Sequence, residues 1–355
     1  MDTAAFKTKH WHKLPDGKVQ CDLCPRHCKL TEKQRGFCFV RGCENEKIVL
    51  LTYGRSSGFC ADPIEKKPLF HFLPGTSILS FGTAGCNLGC LFCQNWNISK
   101  SREIDTLADR ASPIEVARAA RNEACRSVAF TYNDPVIFHE YAVDIAKECR
   151  RLGVKTVAVT AGYVCADPRK EFYEWMDAAN VDLKGFTEDF YKKYCQSSLA
   201  PVLETLEYIK KETKTWLEIT TLLIPGLNDS AKEIEAMTTW IVQTLGSDVP
   251  LHFTAFHPDY KVTDLPPTPP ATLQTARKIA AANGIRYCYT GNVVNPEGES
   301  TYCHACGKKL IGRNWYELTE WNLKEGACAE CGAECAGVFD PQPGDWDSKR
   351  KPVRI

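Results

Sequence analysis

The chain of 355 residues lacks an excess of either charge. Its 44 Lys and Arg balance 44 Asp and Glu. Nothing in that total argues for a nucleic-acid partner, although a local patch can hide in a neutral sum. It also lacks an apolar run of 18 residues, which excludes a simple helical membrane span. The start, Met1-Asp2-Thr3-Ala4-Ala5-Phe6-Lys7, has no apolar core of the signal-peptide kind. The expectation is a cytoplasmic protein with no membrane partner. What the chain has in abundance is cysteine, 19 residues. In a reducing compartment, and in clusters, these point to metals rather than disulfides.

The central group is Cys86-Asn87-Leu88-Gly89-Cys90-Leu91-Phe92-Cys93, spaced C-x3-C-x2-C. Three thiolates are one short of a closed structural zinc site. They suit an iron–sulfur cluster with one iron left open, since four cysteines hold a closed cubane. The apolar run Ser77-Ile78-Leu79-Ser80-Phe81 just upstream reads as a strand. The cysteines then sit on a loop at a strand's carboxyl end, where α/β barrels keep their chemistry.

Downstream the chain alternates helices and strands. Ser112-Pro113-Ile114-Glu115 and Ser230-Ala231-Lys232-Glu233 read as capping boxes. Strands are expected at 127–131, 156–160, 181–183, 216–224, 251–256 and 287–290. Helices are expected from 112, from 134 to about 152, from 168 to 178, from 201, from 230 and from 272 to about 283. Repeated β-then-α units imply a parallel sheet with right-handed crossovers. Six units and a last strand predict an α/β fold, a partial open (β/α)6 barrel. The segment 62–72, with its prolines and mixed charge, reads as an ordered loop leading into the first barrel strand.

Two further cysteine groups flank the barrel. Cys21, Cys24, Cys28 and Cys38 form C-x2-C-x3-C-x9-C, which fits zinc or a second iron–sulfur cluster. Cys303, Cys306, Cys328 and Cys331 form C-x2-C-x21-C-x2-C, two knuckles each followed by glycine, a zinc-ribbon signal. The expected division is an amino-terminal Cys-rich module over 1–75, the barrel over 76–294, the ribbon over 295–340 and an extended or mobile tail over 341–355. The other eight cysteines, including Cys125 and Cys149 in expected helices, read as small core residues or bystanders.

Polar residues end several strands: Asn133 and Asp134, Asp182 and Lys184, and His257. In a parallel barrel these converge on the face that carries the cysteine loop. Each has a plainer reading. Asp134 is also an N-cap before Pro135, Asp182 and Lys184 an in-strand pair, and His257 a turn residue before Pro258.

The loop, with the aromatic Phe92 before its last cysteine, resembles the cluster motif of the radical S-adenosylmethionine (SAM) enzymes. The amino-terminal cysteines, the 62–72 segment and Cys93-Gln94-Asn95-Trp96 resemble the radical SAM enzymes of the AmmeMemoRadiSam system. These are similar in turn to the activating enzymes of pyruvate formate-lyase. The resemblance implies a [4Fe–4S] cluster on Cys86, Cys90 and Cys93 and SAM chelated at the open iron. It implies Phe92 near the adenine, Asn133 and Asp134 near the SAM amino group, and Asp182, Lys184 and His257 near the ribose and carboxylate. It also implies a flavodoxin- or ferredoxin-type electron donor. This chain has Asp134 where the family has glutamate and Ala161 where it has asparagine. A shorter carboxylate must then reach through a shifted backbone or a water. Activators with extra clusters usually insert cysteines soon after the motif, whereas here the next is Cys125.

The expected function is reductive cleavage of SAM to a 5′-deoxyadenosyl radical that takes hydrogen from a substrate, a small molecule or a protein glycine. The alternatives are a metal-bearing adaptor with a degenerate barrel, or radical modification of nucleic acid.

Overall fold

The computed structural model describes residues 5–101, 107 and 109–355. Residues 1–4, part of the stretch read above for a leader, lie outside it. The centre is a nine-stranded sheet. In chain order its strands are β1 (Phe59–Pro63), β2 (Ser77–Phe81), β3 (Ser127–Phe130), β4 (Lys155–Thr160), β5 (Ala178–Asp182), β6 (Trp216–Leu223), β7 (Leu251–Ala255), β8 (Cys288–Gly291) and β9 (Lys351–Val353). β2 to β8 are parallel and stand side by side in sequence order. Strictly consecutive order with right-handed crossovers keeps all the helices on one face and curls the sheet into a barrel. β1 and β9 extend it beyond β2 as antiparallel strands, so the barrel stays open.

The crossover helices are α1 (Pro113–Asn122), α2 (His139–Arg151), α3 (Ala166–Tyr173), α4 (Ala200–Glu212), α5 (Ala231–Leu245) and α6 (Pro270–Ala282). The Ser112 box is complete, Glu115 reaching back to the Ser112 N–H at 2.7 Å. The box at Ser230 is only half made. Ser230 caps the Glu233 N–H, but the Glu233 carboxylate accepts from the Phe186 N–H instead. α3 ends at Tyr173 rather than 178, because Ala178 already pairs with Val157 in the sheet. Cys125 lies in the turn beyond α1, not in the helix.

Strand alternation sorts the core into two faces. Leu79, Phe81, Val128, Phe130, Leu217 and Ile219 pack outward on the helices. Ile78, Ala129, Val157 and Ala178 face inward, onto Ile64, Leu69, Phe72 and Leu73. The segment expected as a loop is therefore strand β1, a short helical turn at Ile64–Lys66, and a plug for the lower lumen of the barrel. Asp62 is fully buried and takes Lys66, Lys67 and Tyr132 as partners, at 3.1, 2.7 and 2.8 Å.

The carboxyl-terminal residues do not stand apart. Hydrophobic residues of 303–335 pack on Phe70, Tyr287 and Tyr289. The buried Arg313 donates to the Phe70 carbonyl at 2.7 Å, and Val338 exchanges backbone bonds with His71 and Leu73. Beyond them, Lys351–Val353 forms the outermost strand of the sheet. Among the described residues no helix is long and apolar enough to cross a membrane.

Candidate active site

The upper lumen is open. A cavity of about 400 Å³ lies over the carboxyl ends of the parallel strands, and Cys86, Cys90 and Cys93 all line it. That volume suits a small-molecule cosubstrate. A larger cavity, about 1030 Å³, lies at the opposite ends of the strands around Lys155, Asp177 and Thr215 and holds none of these cysteines. Size alone does not mark the chemistry here.

The cysteine loop is held from three sides. Asn133 accepts from the Thr83 N–H and donates to the Gly85 carbonyl at 2.8 Å. The carbonyls of Tyr194 and Cys195 take the N–H groups of Leu91 and Gly89, both at 2.9 Å. Asn87 donates to the Tyr163 carbonyl. Glycine is required at position 89, since a Cβ there would stand 2.2 Å from the Gln196 side chain. The Leu88 N–H points at the Cys86 sulfur, and Ser99 lies 3.0 Å from the Cys93 sulfur. Phe92 is buried against Phe190 and lines the cavity.

The structure brings Asn133, Asp134, Asp182 and Lys184 to the same cavity. Asp134 is both a cap and a clamp. It accepts from the Val136 N–H at 3.0 Å, and its other oxygen accepts from the Ala161 N–H at 2.9 Å and from Thr160. Burial pushes its carboxyl up to about 6 against those donors. At position 161 it is the backbone N–H of Ala161 that meets the Asp134 carboxylate. Lys184 pairs with Asp182 at 2.7 Å. Burial opposes its charge, but the Asp182 carboxylate and the Cys90 sulfur, when ionised, hold it above the ordinary lysine range.

His257 is not at the cavity. It is exposed, two residues past the end of β7, with Nδ1 3.5 Å from the Pro258 carbonyl. The proline turn carries it outward, and Thr254 of β7 lines the wall instead. Several lining residues escaped the sequence reading: Lys66, Lys67, Gln94, Thr160, Thr220, Asn292 and Tyr316. Burial pushes Lys67 down to about 8, against the pull of Asp62. Tyr316 arrives from the 309–321 hairpin, some 90 residues beyond β6, and no local pattern marks it.

Two buried polar atoms of the wall, Gln94 Nε2 and Thr220 Oγ1, have no hydrogen-bond partner among the described residues. Buried polar groups are normally satisfied. An orphaned donor, an orphaned hydroxyl, three thiols and cations beside carboxylates fit a zwitterionic, polar ligand bound next to an iron–sulfur cluster.

The Radical SAM superfamily model matches residues 81–239. The chain carries a radical SAM domain. An uncharacterized protein of Methanocaldococcus jannaschii is 41% identical over 324 residues, 91% of this chain and 96% of that one. The pyruvate formate-lyase-activating enzyme of Clostridium pasteurianum is 24% identical over 161 residues, 44% of this radical SAM chain and 66% of that protein. The 4-hydroxyphenylacetate decarboxylase activating enzyme of Clostridium scatologenes is 28% identical over 106 residues, 29% and 33% of the two chains. This is a radical SAM enzyme similar to activating enzymes, and its family implies a [4Fe–4S] cluster and SAM.

Proposed function

We propose that the cluster is held by Cys86, Cys90 and Cys93, and that the enzyme takes hydrogen from a substrate at the mouth of the cavity. When bound, the cluster supplies the electron that cleaves SAM to methionine and a 5′-deoxyadenosyl radical. The observation that carries this reading is the three loop cysteines opening onto one cavity whose wall holds the Thr220 hydroxyl and the Gln94 amide nitrogen, both without a partner among the described residues. Lys184 and Lys67 give the methionyl carboxylate opposite charge. Asp182 supplies an acceptor for ribose hydroxyls, and Phe92 an apolar face for adenine. Asp134 shapes the pocket through Thr160 and Ala161 and offers little free valence to the amino group. His257 has no part in the pocket. Tyr316 and the buried walls keep water from the reacting carbon. A protein glycine is the substrate class that the activating-enzyme relatives support, and the physiological reductant is a low-potential electron donor of flavodoxin or ferredoxin type.

The test is anaerobic reconstitution with SAM and a reductant, with 5′-deoxyadenosine measured. Production of S-adenosylhomocysteine alone makes the enzyme a methyltransferase and overturns the reading.

We also propose one structural zinc at Cys303, Cys306, Cys328 and Cys331. The sulfurs pair at 3.6 and 3.7 Å. Four thiolates around one zinc, each bond about 2.3 Å, stand about 3.8 Å apart. Gly307 and Gly332 follow the two knuckles with φ of 75°, closing each turn. The reconstituted protein should carry a zinc ion that Cys303→Ser/Cys306→Ser removes.

A further inference from the structure

The three cysteine groups differ in how far apart their sulfurs stand. The four of the carboxyl-terminal set lie within 4.8 Å of one another, as a single ion requires. Among the described residues neither the loop cysteines nor any three of Cys21, Cys24, Cys28 and Cys38 gather so closely. Yet all four of these line one apolar cavity, with Leu23, Leu30, Val136 and Ile137. Thiolates that face a common centre but stand too far apart to share one ion fit a polynuclear centre, and four cysteines close a cubane. The backbone N–H of Phe37 points at the Cys28 sulfur at 3.5 Å. Such bonds stabilise the charge on cluster sulfurs and set the potential.

This centre abuts the catalytic loop. Asn87, next to Cys86, is part of the cavity wall. Arg26, between Cys24 and Cys28, donates to the carbonyls of Asn87 and Gln196. Gly85 packs so tightly on Cys38 that a Cβ would stand 2.0 Å from the Cys38 carbonyl oxygen. From Cys38 to Cys86 the path is one van der Waals contact and one peptide bond. In the same segment Lys29, Lys33 and Arg35 are exposed, with Glu32 the acid between Lys29 and Lys33.

We propose that Cys21, Cys24, Cys28 and Cys38 hold a second four-iron cluster through which electrons reach the SAM-cleaving cluster. An acidic one-electron donor protein of flavodoxin or ferredoxin type docks on the basic segment and loses one electron to the second cluster. That cluster passes the electron inward and returns to its oxidised state. The relay rests on the radical SAM function proposed above, whereas the presence of the cluster does not.

Two measurements test this separately. After anaerobic reconstitution, wild type should hold roughly eight irons per chain, two cubanes of four. The Cys86→Ala/Cys90→Ala/Cys93→Ala variant should hold half of that. On reduction it should show a cluster resonance by electron paramagnetic resonance that SAM leaves unchanged. Roughly four irons in wild type, with a second zinc in place of the other four, overturns the cluster whether or not SAM is cleaved. For the relay, wild type is mixed with reduced flavodoxin and frozen at successive times. The SAM-insensitive resonance should rise first and decay as the SAM-sensitive one appears. Simultaneous appearance, or the reverse order, overturns the relay.

Discussion

The two halves of the barrel lumen are built from the same strands and treat polar groups in opposite ways. Glu218 and Thr220 lie two residues apart on β6, on one face. In the lower half the Glu218 carboxylate is fully buried and accepts four bonds: Phe70 N–H at 3.0 Å, His71 N–H at 2.8 Å, His252 Nε2 at 2.7 Å and Trp216 Nε1 at 3.0 Å. Burial disfavours its charge, but His252 and these donors hold it below the usual carboxylate range. His71, buried and pushed down to about 4, donates to the Ala336 carbonyl at 2.6 Å, and its other nitrogen accepts from Tyr289. In the upper half, the buried Thr220 hydroxyl has no partner among the described residues. At these two positions of β6 the lower lumen uses its polar side chain for structure and the upper lumen leaves a hydroxyl unpaired.

The sharpest break of this contrast is at the top. Replacing Cys86, Cys90 and Cys93 by alanine should abolish deoxyadenosine formation, while the cooperative thermal transition by circular dichroism persists. Residual turnover in that variant would remove the loop from the chemistry. At the bottom, Glu218→Ala leaves two backbone and two side-chain donors buried and unpaired. It should cost about 3 to 5 kcal/mol in denaturant unfolding. A loss below about 1 kcal/mol would mean that water enters the lower lumen.

Glu65 sharpens the comparison, because it is a carboxyl in the plug that is only half saturated. One oxygen accepts from the Gly75 N–H at 2.8 Å and the other has no partner. Burial pushes it up to about 7 from 4.5. The folded chain then keeps the proton to higher pH than the unfolded chain. The stability from this group is complete below about pH 4.5 and lost as pH rises through about 7. Glu65→Gln cannot ionise, so its unfolding free energy should fall less between pH 5 and 8.5, by on the order of 2 to 3 kcal/mol. Parallel curves for the two proteins would contradict the burial argument.

The smallest effect should come from Thr220→Val. Removing an orphaned hydroxyl costs the fold nothing and stabilises it by up to about 1 kcal/mol. The KM for SAM should rise several-fold, roughly what one hydrogen bond is worth. A destabilised variant with unchanged KM would place Thr220 with the scaffold.

Much of this was legible in the chain. β-branched runs such as Thr156-Val157-Ala158-Val159-Thr160 placed the parallel strands, and cysteine spacing separated three cysteine groups. The plug was not legible. Asp62 and Pro63 read as loop residues, because a strand ending in proline is tolerated only near a sheet edge. Asp62 with Lys66 four residues on was a signal of local order, but not of where the segment goes. His257 shows the limit of strand-end reasoning, since a proline one residue later turned it away. Lys66, Lys67 and Tyr316 reach the cavity by tertiary folding alone. Spacing along the chain also grouped the cysteines without showing how closely their sulfurs approach, which only the fold reveals.

The pairing of Ala61 with Lys351 sets an order of events for synthesis. β1 presents an unpaired outer edge from the time it meets β2 until residues 351–353 are available. An open edge is a template for other strands. The loop cysteines Cys86, Cys90 and Cys93 and the carboxyl-terminal set at 303–331 are made within that interval. Delay late in translation would expose both a sticky strand and unfilled thiols, so this fold is most vulnerable to aggregation and oxidation just before its last strand docks.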